Sequence, residues 1–232
     1  MSDNFDDHIN KSIRNYDQLR DDIVSLSKYF VTSGTKVVDY GCSQGTMIKR
    51  IRDTNKEQAS NTIYYGVDIN EDFKKHWQNE PDLKYKILDI RPWLSDITED
   101  LDDDEEFPDG LSYTNCSLII SMFTMQFINE SDRLRVLYEI YDQQLNKGGA
   151  LILCEKVFSP DAKFQNMMDS LYLDYKRQFF SEKELVDKEQ ELRHLAKLQT
   201  EETIMQNLKS VGFSNIQMFW RNFNFIGLVA IK

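Results

Sequence analysis

Hydrophobic positions along the chain switch between two periods, and the switching predicts a parallel sheet with helices packed on it. Over residues 5–30, Ile13, Tyr16, Leu19, Ile23, Leu26 and Phe30 recur every three or four positions with charges between them. That spacing predicts one amphipathic helix, closed by Ser33-Gly34. Residues 36–40 (KVVDY) read as a short buried strand, followed by Gly41, Gly45 and a helical pattern through Met47, Ile48 and Ile51. Residues 62–70 and 83–90 predict a second and a third strand. Residues 116–127 are almost continuously apolar, as in a strand buried on both faces. Ser131 is the expected cap of a helix over 132–145, residues 146–149 (NKGG) its closing turn, and 150–157 a fifth strand.

The alternation then breaks. Residues 159–200 carry two helices rich in aromatic and charged side chains, and 201–211 restores a strand-connecting helix ended by Gly212-Phe213. Two final strands, NIQMFWR and NFIGLVAIK, are too close in sequence to pair other than antiparallel, as a hairpin. The expected fold is α/β: a Rossmann-like seven-stranded sheet in one domain over 1–232, with a helical cap at 1–33. Its helical insertion at 159–200 would serve as a lid or a dimer surface.

Chemistry enters at the strand ends. The first strand closes on Asp39, the second on Asp68 and the third on Asp89, so three acceptors reach the edge where open parallel sheets bind ligands. A dinucleotide fold would place G-x-G-x-x-G after the first strand; this chain has D-Y-G-C-S-Q-G, with an acid where a pyrophosphate would be repelled. The pattern suits a cofactor with a cationic end and no phosphate, such as S-adenosylmethionine. Asp39 would face its amino group or a hydroxyl, Asp68 the ribose hydroxyls, and Asp89 the adenine amino group. The exit of the fourth strand, Phe123–Phe127, should border the transferable group. Tyr16 either reaches the ligand or fills core.

Composition narrows the partners. The 232 residues carry a net charge of −11, which argues against a broad nucleic-acid footprint. No apolar run approaches a membrane span, and the acidic, polar start excludes a secretory signal. Cys42, Cys116 and Cys154 lack metal-ligand spacing and are expected as free, mostly buried thiols of a cytoplasmic protein. The acidic stretch 96–110 lacks the spacing of a calcium loop and reads as a solvated surface segment. No metal is expected.

The motifs FDDHINKSIRNY, DYGCSQG, FTMQF with NKGGALILCEK, DAKF with LDYKRQFFSEKEL, and the closing NFNFIGLVAIK give the chain a family resemblance over nearly its whole length. It resembles the class I S-adenosylmethionine-dependent methyltransferases. More narrowly, it resembles the carboxy-S-adenosylmethionine synthases, which supply the carboxymethyl group for the tRNA wobble uridine. The resemblance implies that Tyr16, the backbone of Gly41, Cys42 and Ser43, and then Asp68, Asp89 and Ile90 hold the cofactor. Gly45 and Ile69 complete the same loops. Two positions depart from the family pattern. Met122 stands where the family has an Asn near the sulfonium, and Glu189 stands where it has an Arg that reads the extra carboxylate. Two unit charges ~4 Å apart interact by about 4 kcal/mol at an effective dielectric near 20, so this exchange turns attraction into repulsion. Arg193, one helical turn on, is the candidate replacement.

Three readings follow. In the first, the chain is a methyltransferase using ordinary S-adenosylmethionine on a small molecule, with Tyr172, Tyr175, Arg177 and His194 as acceptor-side candidates that could equally be packing or surface. In the second it is a carboxy-S-adenosylmethionine synthase drawing its carboxyl group from prephenate. In the third it binds a cofactor without catalysis. Homodimerisation through the inserted helices is the expected association.

Overall fold

The structure, a computed structural model, describes residues 5–90 and 113–232. The acidic stretch 96–110 lies outside them. One seven-stranded sheet organises the chain, in the order β3-β2-β1-β4-β5-β7-β6. Its strands are β1 (Lys36–Tyr40), β2 (Ile63–Asp68), β3 (Leu83–Ile87), β4 (Cys116–Met122), β5 (Leu145–Lys156), β6 (Asn215–Asn222) and β7 (Phe225–Ile231). The first five run parallel, while β7 enters antiparallel between β5 and β6, pairing Lys156 with Phe225 and Asn222 with Phe225. Only Phe223 and Asn224 separate β6 from β7, and Phe223 takes a left-handed φ of 47° to close the turn. The expected sheet and hairpin are both present.

The helices are α1 (Phe5–Ser12), α2 (Tyr16–Ser27), α3 (Thr46–Asn55), α4 (Glu130–Glu139), α5 (Ala162–Lys176), α6 (Glu182–Leu192) and α7 (Glu201–Val211). Period-two alternation along the strands feeds two cores. Val37, Tyr64, Leu118, Ile120 and Ile152 pack with Leu19 and Ile23 of α2 and Ile48 and Ile51 of α3. Val38, Tyr40, Ile119, Leu151 and Leu153 pack on the opposite face with Val136 and Leu137 of α4 and Ile204 and Leu208 of α7.

Four boundaries differ from the sequence expectation. The helix expected over 5–30 is two, because Asn15 adopts φ 63°, a left-handed geometry that Asn tolerates and a helix does not. The apolar period continues across the break, which is why periodicity hides it. The fourth strand stops at Met122, since Phe123 (φ 56°) turns the chain into a short 3₁₀ segment, Met125–Phe127. The helix expected over 132–145 begins at Glu130 after Asn129, so Ser131 sits inside its first turn, and its last turn widens into a π segment, Ile140–Gln144. Residues 146–149 form a bulged start of β5 rather than a turn outside it: the register with β4 shifts between Cys116 and Leu118, and Gly148 takes φ 82°.

Candidate functional site

The turn between β1 and α3 is built from alternating left-handed residues. Gly41 (φ 80°), Ser43 (φ 50°) and Gly45 (φ 79°) fold the chain tightly at the mouth of α3. The Gly41 and Cys42 amides are tied to the Val67 carbonyl at 2.7 and 3.0 Å, which docks the turn on the end of β2. A Cβ on Gly41 would overlap the Thr124 side chain, and one on Gly45 would overlap the Tyr85 ring. Glycine is required at both places by close approach as well as by φ.

Two of the three acids meet beside this turn. Asp68 accepts from the Ser43 amide through one carboxylate oxygen and from the Asn70 amide through the other, each at 2.9 Å. Burial raises its pKa despite those amides. Asp39, 2% exposed, accepts no hydrogen bond from any described residue. Burial first, and the Asp68 charge second, push its carboxyl up to about 7. An orphaned buried carboxylate beside a glycine cradle fits a cationic amino or sulfonium group, whose arrival would restore its charge. The donor set therefore suits an adenosyl sulfonium: a lone acid for the cation, and an acid with lone pairs to spare for ribose hydroxyls.

The third acid arrives differently. β3 ends at Ile87, and Asp89 follows two residues later, half-buried, after the Leu88 amide bonds the Asp68 carbonyl at 3.0 Å. Ile90 is packed into the core with Tyr113, whereas Ile69 is 51% exposed at the rim. Met122 is half-buried at the end of β4, among the side chains on the Asp39 face of the sheet. Cys42 is buried, its thiol pushed up by desolvation and by Asp39 and Asp68, so it is inert packing under the turn. The other two cysteines are buried free thiols as well.

Tyr16 sits over this floor from the N-terminal side. Its hydroxyl pKa is raised by burial, Arg20 covers its ring at 5.0 Å, and Phe123 lies 6.3 Å away. Aromatic contacts continue from there: Phe123 meets Phe225 at 5.6 Å, and Phe225 meets Tyr172 of α5 at 5.3 Å. Helix α1 ties the same region together, with Phe5 on Phe73, His8 on Phe180, and the Asn10 carbonyl accepting from the Tyr175 hydroxyl at 3.0 Å.

The remaining predicted residues are dispersed. Glu189 on α6 and Arg193 just past its end are exposed and pair with each other at 2.7 Å. Arg177 is exposed and engages Asp174 and Glu182, and His194 faces solvent. Of the four acceptor-side candidates, only Tyr172 joins the aromatic path to the strand ends.

Sequence reasoning missed Trp77 and Tyr85. Their rings stack at 5.4 Å and 11°, the Trp77 indole donates to the Ser43 carbonyl at 2.8 Å, and the Tyr85 ring covers Gly45 and Gly66. They clamp the glycine turn from the β3 side. Only the small residue at Gly66, in mid-strand, hinted at a large neighbour. Among the described residues no cluster of His, Cys, Asp or Glu is placed to hold a metal ion, and no helix is long and apolar enough to cross a membrane.

The fold has counterparts among solved structures. The chain matches human N-acetylserotonin methyltransferase in complex with S-adenosylmethionine at a TM-score of 0.56 and 15% identity, covering 92% of this chain and 51% of that one. It matches a chain in the complex of the Haloferax volcanii Trm112 methyltransferase activator and its methyltransferase at a TM-score of 0.59 and 14% identity, over 94% and 91% of the two chains. At such identities the likeness concerns the fold, and that fold is the class I methyltransferase architecture.

No family model matches the sequence. Curated relatives do. A carboxy-S-adenosyl-L-methionine synthase of Shewanella baltica is 33% identical over 229 residues, covering 98% of this chain and 88% of its own. One of Staphylococcus epidermidis is 31% identical over 230 residues, covering 98% and 92%. The chain belongs to the carboxy-S-adenosyl-L-methionine synthase family, a family of enzymes.

Proposed function

We propose that this member of the family is a methyltransferase that takes its methyl group from ordinary S-adenosyl-L-methionine and passes it to a small molecule. The observation carrying this reading is the Glu189–Arg193 pair. At the position where the resemblance expects an arginine for the extra carboxylate stands an exposed acid; Arg193, the candidate replacement, is engaged by that acid at 2.7 Å, and the adjoining Lys188 by Glu191 at 3.0 Å. Glu189 itself repels a carboxylated cofactor.

In this reading Asp39 faces the cationic end of the cofactor, Asp68 and the loop through Ile69 take the ribose, and Asp89 with Ile90 borders the adenine. The amides of Gly41, Cys42 and Ser43 and the turn at Gly45 bound the amino-acid end, Tyr16 closes over it, and Met122 borders the sulfonium. The cofactor supplies a methyl group activated on positive sulfur. The chain contributes an in-line path past Phe123 and a dry site, which is most of what such a transfer needs. The whole chain acts as one domain, with 1–33 covering the site and 159–200 forming its outer wall. No residue of α5 is buried, and Phe164, Met167 and Leu171 are exposed, which supports pairing of two copies through that helix.

A second reading, synthesis of carboxy-S-adenosylmethionine from S-adenosylmethionine and prephenate, is favoured by the names of the relatives. Calorimetric titration of the full chain separates the two. S-adenosylmethionine is expected to bind at least tenfold more tightly than its carboxylated form, with Glu189→Arg narrowing the gap. Tighter binding of the carboxylated form, or its co-purification detected by mass spectrometry, overturns the first reading in favour of the second. Failure of both to bind overturns both.

A further inference from the structure

Ser43 stands in the glycine turn with a left-handed φ of 50°, between Gly41 and Gly45. A residue with a Cβ is strained in that region unless its surroundings hold it, and serine is not among those that visit it readily. Here the backbone of Ser43 is held at both ends. Its N–H donates to Asp68 Oδ2 at 2.9 Å, and its carbonyl accepts from the Trp77 indole Nε1 at 2.8 Å. These two contacts close into a ring. The other Asp68 oxygen accepts from the Asn70 amide at 2.9 Å, and Asn70 Oδ1 accepts from the Asp72 amide at 3.0 Å, capping the 3₁₀ segment Glu71–His76. The end of that segment delivers Trp77 back to Ser43.

Trp77 is half-buried within residues 74–79, whose other members are exposed, so no apolar period places it there. Its ring lies flat on Tyr85, and the Tyr85 hydroxyl reaches the Gly45 carbonyl at 3.4 Å while the Tyr85 amide is fixed by Asn79 Oδ1 at 2.8 Å. Two stacked rings thus offer donors to carbonyls two residues apart. Packing alone would need neither the indole N–H nor the phenol hydroxyl. Every peptide bond in the turn is trans, and in a trans peptide the carbonyl and the following N–H point in opposite directions. Turning the Ser43 and Gly45 carbonyls toward the rings therefore sends the Gln44 and Thr46 amides the other way. Thr46 opens α3, where amides have no partner within the helix. The ring of contacts also joins Asp68, read as the ribose acid, to the turn read as the boundary of the cofactor's amino-acid end.

We propose that Trp77, seconded by Tyr85, is a positioning residue for the cofactor. Its indole holds Ser43 in left-handed geometry and so fixes the glycine turn in the form that receives the amino-acid end, with no contact of its own to the cofactor. This rests on the reading of the strand-end site as the cofactor site. It deepens that reading by assigning the grip on the amino-acid end, as distinct from the adenosine, to a residue outside the rim of acids.

The test is calorimetry on the full chain with two probes: S-adenosylhomocysteine, which has the amino-acid end, and 5′-methylthioadenosine, which lacks it. Trp77→Phe keeps a ring on Tyr85 and removes the donor. It is expected to weaken S-adenosylhomocysteine fivefold or more and 5′-methylthioadenosine less than twofold. Adding Ser43→Gly, which takes the same φ without strain, is expected to recover at least half of the lost affinity, and more than Ser43→Gly changes the parent. Should Trp77→Phe fail to fold, Tyr85→Phe carries the same test through the Gly45 carbonyl, with a loss of at least twofold for S-adenosylhomocysteine and none for 5′-methylthioadenosine. Unchanged binding of S-adenosylhomocysteine overturns the proposal and leaves the cofactor reading standing. Equal weakening of the two probes, or no recovery with Ser43→Gly, overturns it too, since Trp77 would then support the fold as a whole. If neither probe binds the unaltered chain, the cofactor reading itself falls, and this one with it.

Discussion

Asp39 shows what one buried side chain reveals about a ligand. A carboxylate 2% exposed and without a hydrogen-bond donor is costly in the free protein, and the chain answers by holding its pKa up to about 7. Below about pH 4 the folded and unfolded states both carry this proton. Between there and pH 7 the unfolded chain ionises while the folded one resists, so stability falls as pH rises, and the loss levels off above pH 7. Asp39→Asn removes this group's share of the slope. It is expected to stabilise the ligand-free protein by on the order of 2 kcal/mol at pH 8 and by almost nothing at pH 4, measured by urea denaturation at the two values. The same variant is expected to bind S-adenosylmethionine at least tenfold more weakly at pH 8, because the charge that faces the cation is gone. A variant as unstable at pH 8 as the parent would show that Asp39 is already satisfied in the free protein.

At the scale of elements, the glycine turn connects backbone geometry to the site. Gly41→Ala combines a left-handed φ with an overlap against Thr124, and is expected to cost about 2 kcal/mol or more and to weaken cofactor binding. Thr124→Gly removes the obstacle but not the backbone strain, so the double variant should recover part of the stability and no more. Denaturation of the four members of this cycle checks it, and strict additivity would mean the two residues do not touch. This turn was legible in the sequence because strand, glycine and helix follow one another within a dozen residues. So were the succession of strands along the chain and the hairpin, which rest on contiguous patterns. The break at Asn15 and the end of β4 at Phe123 were not, because each depends on one residue entering left-handed space while the apolar period runs on. Trp77 and Tyr85 were hidden for a related reason. Their contacts with Ser43, Gly45 and Gly66 are made across 19 or more positions of sequence, which no local pattern records. Asp39 and Asp68 were found together because successive parallel strands end on one rim. Asp89 was placed in that row too, yet its strand stops at Ile87 and the acid follows in the next loop.

On the scale of the molecule, the insertion must be held to the sheet for an outer wall to exist, and a buried arginine does part of this. Arg133 of α4, 3% exposed, donates to the Ile128 carbonyl at 2.9 Å and to the Lys197 carbonyl at 2.6 Å, fixing the end of the inserted segment beside its own helix. Across a cavity of about 10 Å³, also lined by Leu137, Leu153 and Ile204, lies Glu155 of β5, 2% exposed. Burial pushes Glu155 up to about 8, and Arg133 together with the Gln126 and Met125 amides holds it from going higher. A raised acid stabilises the fold at low pH and loses that contribution as pH climbs through its folded value. Arg133→Met deletes both carbonyl bonds and the one cation opposing Glu155. It is expected to destabilise the protein by about 3 kcal/mol, the range found when one member of a buried charged set is removed. It should also extend the fall of stability past pH 8, since Glu155 then ionises at a still greater cost. Adding Glu155→Gln to Arg133→Met removes the buried acid and should flatten that fall between pH 6 and pH 9, although the lost carbonyl bonds remain lost. Urea denaturation of both variants at the two pH values measures this. A single variant whose loss of stability is the same at pH 6 and pH 9 would show that Arg133 holds the insertion through its two carbonyl bonds alone, with no electrostatic link to the strand that carries Lys156.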